Sequence, residues 1–266
     1  MAAIISRLNR LVNLRRINWP ALGTSVVLGL LVLVLGRMDS GWPVAMVAVA
    51  ATEYWLRRSI WRSQAADALA GLVMPLAAGL SAVLVVAVNI RFITQMVVAV
   101  AYAVWRWWWV RRRDHQELIG HLLFVQVLIF EGVFLAAAVW RSSDWSAWLM
   151  TIWLGIIWLG AFWPTLAVLR ARGERAAGVL AAAWAVAATE VSWVLLLWLF
   201  TYTSPGGFVL VPQPAVVLVA LAYCFGSIYA SARGGNLSRG RLVEYLIIGL
   251  ILILMVIAGT SWRGSI

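Results

Sequence analysis

The stretch LIGHLLFVQVLIFEGVFLAAAV, residues 118–139, decides the fold class of this chain. It contains one carboxylate and one histidine, and it has no arginine or lysine. A helix of about 20 apolar residues covers the hydrocarbon core of a bilayer. The stretch therefore predicts a transmembrane helix.

The composition of the whole chain extends this prediction. Of the 266 residues, 64% are hydrophobic and 12% are charged, and the mean hydropathy is +0.93. A soluble domain is about half apolar and about a quarter charged. One globular core does not bury such an apolar excess, so we expect a single transmembrane helical bundle over 19–266. Two histidines and one cysteine argue against haem or iron–sulfur ligation, so we expect no cofactor.

Eight further apolar segments flank this helix, which predicts an all-α polytopic membrane protein with about nine transmembrane helices and short loops. The short segments 20–36 and 42–56 leave open whether both span. The longest loop, 201–214, is predicted to be an extended connection because it contains three prolines. The nine segments are 20–36, 42–56, 68–88, 92–110, 118–139, 145–169, 178–202, 213–230 and 242–260.

The basic residues, all arginine, predict the orientation. With the N-terminus in the cytoplasm, sixteen arginines fall in inside loops and four outside, with Arg106 at a boundary. The positive-inside rule therefore supports nine crossings, with the C-terminus outside. It also explains the net charge of +11 without nucleic acid. The absence of lysine fits a high-GC bacterial genome, so we expect the membrane to be a bacterial cytoplasmic (inner) membrane. The outside arginines are Arg37, Arg91, Arg141 and Arg263.

The N-terminal residues 1–18 have apolar side chains on one helical side and arginines largely elsewhere. This pattern predicts an amphipathic helix lying in the membrane interface. A docking helix for a cytoplasmic partner is the alternative.

The stretch WRWWWVRRR, 105–113, marks where the fourth segment meets the cytoplasm. Tryptophan prefers the headgroup level and arginine lies just beyond it. Successive residues turn by about 100°, so the adjacent indoles cannot all face lipid. Arg106 and Trp109 are predicted to form a cation–π pair. The residues predicted to contact anionic lipid headgroups or a partner are Arg106, Trp107, Trp108, Trp109, Arg111, Arg112 and Arg113.

Four carboxylates fall inside apolar segments, where ionisable groups are costly and often functional. Glu53 precedes Arg57 by four residues and Glu244 follows Arg241 by three, so local ion pairs explain both. Glu131 and Glu190 lie deep in their segments with no arginine in the same segment. We therefore expect these two to be protonated, hydrated or paired with another helix.

One stripe along the fifth segment joins Glu117, His121 and Glu131 at helical spacing. With Glu190, these residues predict a proton or cation pathway or a buried polar network. The alternative for Glu117 is a capping box with Asp114. Asp114, Glu117 and His121 share a face, but one histidine and no nearby cysteine argue against a metal site.

The hexapeptide AVAATE occurs twice, ending at Glu53 and at Glu190. The two copies lie in segments of opposite predicted direction, as in transporters built from inverted repeats. The remaining segments show no matching similarity, so the repeat stays a hypothesis.

Three functions remain open from the sequence. The first is a small transporter or channel lined by the intramembrane carboxylates. The second is a non-catalytic subunit of a larger membrane complex, whose partners are other membrane subunits or further copies of the chain. The third is an intramembrane enzyme acting on lipids, for which only Asp114, His115, Glu117 and His121 are candidates.

Overall fold

The computed structural model describes residues 19–38, 41–58, 65–89, 91–111, 118–139, 147–197, 201–203, 210–235 and 238–259. Within these residues the protein is almost entirely helical. Its helices are α1 (Trp19–Gly36), α2 (Trp42–Arg58), α3 (Ala65–Val88), α4 (Phe92–Arg111), α5 (Leu118–Val139), α6 (Ala147–Ala171), α7 (Ala177–Leu197), α8 (Gln213–Arg233) and α9 (Arg239–Gly259).

Among the described residues, five helices are long and apolar enough to cross a membrane, which makes this an integral membrane protein. They contain the windows Gly71–Val88, Leu118–Val139, Met150–Ala171, Ala177–Leu196 and Gln213–Arg233. Pro20–Gly36 is apolar but shorter. The nine crossings and their orientation stay predictions.

Helix α3 lies at the centre of the bundle. It contacts α1, α2, α4, α5 and α6. Its buried face carries small and β-branched residues, among them Ala78, Ala82 and Val86, which permit close helix approach. Helix α9, by contrast, packs mainly on α8.

The segment after α7 departs from the prediction. Helix α7 ends at Leu197, and residues Thr201–Thr203 form a strand (β1). The predicted helix 178–202 was therefore too long at its C-terminal end. β1 pairs antiparallel with β2 (Leu210–Pro212), with Thr201 opposite Pro212. The strand TYT consists of β-branched and aromatic residues, which favour extended backbone. The predicted N-terminal helix, 1–18, lies outside the described residues.

Candidate functional site

A buried ion pair joins α2 to α4. The Nε of Arg106 donates a hydrogen bond to Oε1 of Glu53, and the two side chains are 2% and 0% exposed. Each residue lies five positions before the end of its helix, at Arg111 and Arg58. The pair therefore lies about 7.5 Å along the helix axes from these two ends.

Helix α1 completes this cluster with two hydroxyls. The Nη1 of Arg106 donates to Oγ of Ser25 at 3.0 Å and to Oγ1 of Thr24 at 3.2 Å. Both hydroxyls donate in turn to the carbonyl of Ala21. One arginine thus ties three helices together, and its charge is balanced within the bundle.

These contacts correct two sequence predictions. Arg106 is buried rather than at the headgroup surface, and it pairs with Glu53 rather than with Trp109. Glu53 pairs across the bundle with Arg106 of α4, while the side chain of Arg57, its predicted partner, lies outside the described residues. The physical reason is that a single charge buried in an apolar environment is costly, and pairing it with an opposite charge at the same depth offsets much of that cost.

The tryptophans of 105–109 divide between the interior and the surface. Trp105 and Trp109 are buried and stack on each other at 5.8 Å between ring centroids. Trp108 is 43% exposed and Trp107 is half-buried. Several side chains were predicted to contact lipid headgroups. Among those that the structure describes, only Trp107 and Trp108 lie at the surface.

His121 lies inside this aromatic cluster. Its ring packs edge to face with Trp105, Trp108 and Trp109, at 6.1, 4.9 and 5.0 Å between ring centroids. The residue is 2% exposed. Glu131 is half-buried on the same helix, ten residues further on and about 15 Å away. His121 and Glu131 therefore lie at different depths along α5 and are not in contact.

Helix α7 has two distinct faces. Its buried face includes Ala181, Trp184, Ala185, Ala188, Ser192, Leu195 and Leu196. Its exposed face repeats every three or four residues and carries Val179, Val186, Glu190, Trp193 and Val194. We call this exposed set the outer face of α7.

Glu190 lies within this outer face, thirteen residues from the start of α7 at Ala177 and seven from its end at Leu197. These spacings place its carboxyl about 20 Å and about 10 Å from the two helix ends. The structure therefore does not bring Glu190 together with His121 or Glu131. The remaining predicted residues, Glu117, Arg112 and Arg113, and the side chain of Arg111 lie outside the described residues.

A second polar cluster, which the sequence did not predict, joins the loop after α6 to the end of α8. Glu174 accepts hydrogen bonds from the Tyr229 hydroxyl at 2.5 Å and from Nη1 of Arg233 at 3.1 Å. Nη2 of Arg233 also donates to the carbonyl of Arg172 at 3.2 Å. The Tyr229 hydrogen bond, then the backbone hydrogen bond from Ala176 and the Arg233 charge, lower the pKa of Glu174 below its ordinary 4.5.

This cluster predicts a pH-dependent stability. A carboxylate with a lowered pKa stabilises the fold above its unfolded pKa, and this contribution is lost as the pH falls through the folded value. Tyr229→Phe should therefore lower the unfolding temperature by a constant amount above pH 6. The difference from wild type should shrink below pH 4.5, the ordinary pKa.

Thermal unfolding of both proteins from pH 7 to pH 3 checks this result. Tyr245→Phe, on α9, is the matched control, since Tyr245 makes no described hydrogen bond to Glu174. A Tyr229→Phe deficit that stays unchanged down to pH 3 contradicts the assignment.

The comparisons with known proteins add no further evidence. No protein-family model, curated protein or solved structure matches the chain. Among the described residues, no group of three or more histidine, cysteine, aspartate or glutamate side chains is arranged to hold a metal ion.

Proposed function

We propose that the chain is a non-catalytic, membrane-embedded subunit of a larger membrane complex, and that the outer face of α7 docks on another subunit. The observation that carries this proposal is the exposure of Glu190 in the apolar part of a membrane-spanning helix. A charged side chain facing lipid near the bilayer centre costs about 2.5–3.5 kcal/mol. A partner helix that supplies a hydrogen-bond donor or a cation removes this cost.

The neighbours of Glu190 support a helical partner. Val186 and Val194 lie one turn away on either side, and they are 48% and 52% exposed. Trp193, 57% exposed, flanks them. These apolar side chains give van der Waals surface around the carboxylate on which a second helix can pack, and the carboxylate itself can hydrogen-bond across the two helices.

The charge of this face favours a different subunit over a second copy. A symmetric pair of outer faces would bring Glu190 of one copy towards Glu190 of the other, since a two-fold interface repeats the same patch. Two carboxylates at one site disfavour their charged forms. A partner with a donor or a cation at this depth is the complementary surface.

A small transporter or channel is the competing proposal. The half-buried Glu131 supports it, because intramembrane carboxylates commonly mark ion pathways. The outward position of Glu190 favours the subunit instead. The location in a bacterial cytoplasmic membrane, with the N-terminus inside, is part of the proposal and rests on the arginine distribution.

The test is native mass spectrometry of complexes extracted gently from the native membrane. Wild type should give heteromeric masses at fixed stoichiometry. Glu190→Gln should weaken the assembly about fivefold, which corresponds to the loss of about 1 kcal/mol across helices. Glu244→Gln is the matched control, because Glu244 is an exposed glutamate on α9.

Two results would contradict the subunit proposal. A wild-type spectrum with only monomers or homo-oligomers of this chain contradicts the existence of a partner subunit. Equal effects of Glu190→Gln and Glu244→Gln contradict a docking role for the outer face of α7. Loss of ion flux in vesicles with Glu131→Gln, together with a monomeric spectrum, favours the transporter.

A further inference from the structure

A cavity of about 260 Å³ lies between α5, α6, α7 and α8. Its walls are apolar. Each of the four helices contributes to them, for example through Leu122, Val168, Ala187 and Ala222 in the same order. The two polar side chains at its inner end satisfy each other, since Nε2 of Gln126 donates to Oγ1 of Thr165 at 3.1 Å. The interior therefore suits a hydrocarbon chain.

The mouth of this cavity is cationic. Arg172 lines the mouth on the α6 side. It follows Thr165 by seven residues, so the two residues are about 10 Å apart along the helix axis. The Arg172 guanidinium lies 5.7 Å from the ring centroid of Tyr229, and its Nη1 is buried with no hydrogen-bond partner among the described residues. Glu174 is engaged by Arg233 and Tyr229 instead. Among the described side chains, no carboxylate forms an ion pair with the Arg172 guanidinium.

The cavity borders the outer surface between α7 and α8. Trp184 and Phe225 meet there at 5.4 Å between ring centroids, and Phe225 is 53% exposed. Leu180, which also lines the cavity, is 38% exposed. A lipid tail can therefore enter sideways from the bilayer while its headgroup stays near Arg172.

We propose that this cavity binds one anionic phospholipid, with an acyl chain between α5 and α8 and the phosphate on Arg172. The apolar walls exclude a free inorganic anion as the main occupant, because such an ion would leave them in contact with water. The charge of Arg172 selects an anionic headgroup over a zwitterionic one. The outer face of α7 and its partner take no part in this site.

Native mass spectrometry of the purified chain in non-ionic detergent tests the proposal. Phosphatidylglycerol and phosphatidylcholine with identical acyl chains are the two probes. Wild type should bind one phosphatidylglycerol about fivefold more tightly than phosphatidylcholine. Arg172→Gln should abolish this preference. Arg175→Gln, the matched control, removes the same charge from the same loop but not from the cavity, and should retain it.

A second variant tests the acyl chain. Ala187→Phe places a ring in the cavity and should reduce discrete binding of both lipids at least tenfold. Val97→Phe, on the exposed surface of α4, should not. Unchanged helical circular dichroism and elution volume show that each variant is folded.

The proposal is overturned by equal affinity for the two lipids, by equal behaviour of the Arg172 and Arg175 variants, or by undiminished binding to Ala187→Phe. Displacement of the lipid by an equal concentration of inorganic phosphate also overturns it, since the acyl chain would then contribute nothing. Because the purified chain is used, these outcomes do not depend on the partner subunit.

Discussion

Replacing Arg106 by leucine is expected to lower the free energy of unfolding by about 3–5 kcal/mol. The reason is that Glu53, 0% exposed, loses the guanidinium that neutralises it. Losing the contacts to Ser25 and Thr24 adds little, because both hydroxyls keep their hydrogen bonds to the Ala21 carbonyl. The effect therefore reports mainly on the loss of the Arg106 guanidinium from a buried carboxylate.

The double variant Glu53→Leu/Arg106→Leu separates charge from packing. Replacing both partners of a buried pair by apolar residues is often neutral or stabilising. The double variant should therefore recover most of the stability lost by Arg106→Leu. Reversible unfolding in mixed detergent micelles measures all three proteins.

Arg170→Leu is the matched control for this experiment. Arg170 is exposed at the end of α6, so its removal should cost less than about 1 kcal/mol. An Arg106→Leu effect no larger than that of Arg170→Leu contradicts the buried pair. A double variant as unstable as Arg106→Leu contradicts the electrostatic explanation.

The second large effect is expected at Gly29, where α1 and α4 approach closely. A Cβ added there would lie 2.9 Å from Cβ of Ala103 and 3.1 Å from the carbonyl oxygen of Ala99. Gly29→Leu should therefore push the helices apart and cost about 1–3 kcal/mol. Ser25 lies one turn before Gly29, so its contact with Arg106 should weaken as well.

Gly23→Leu is the control on the same helix. No atom lies within 4 Å of a Cβ added at Gly23. The change should be neutral or slightly stabilising, because glycine costs about 0.8–1.0 kcal/mol relative to alanine in a helix. Equal losses in the two variants would contradict the close contact of α1 with α4.

The helix boundaries were largely predictable from the sequence because apolar length determines them. The run 118–139 is one described helix with the same bounds. The end of α7 was not predicted, since Trp198, Leu199 and Phe200 continue the apolar run although a strand begins at Thr201. Hydropathy alone does not distinguish a short apolar helical segment from an apolar strand.

The ion pair was predictable in principle from depth. Glu53 lies three residues before the end of the predicted segment 42–56, and Arg106 lies four residues before the end of 92–110. Both ends are predicted to be cytoplasmic, so the two side chains share one level. Spacing along a single helix, which suggested Arg57 and Trp109 as partners, carries no information on contacts between helices. The outward position of Glu190 was not predictable in the same way, because the packing of α7 on α6 determines which of its faces is buried.

Site-specific photo-crosslinking in intact membranes tests the central claim most directly. A photoreactive residue replaces Val186 on the outer face of α7 or, as the control, Val97 on α4, which is 63% exposed. Our account predicts a discrete adduct with a different membrane protein from position 186, reduced by Glu190→Gln, and none from position 97. Adducts only with lipid or with a second copy of the chain, or equal adducts from both positions, would contradict it.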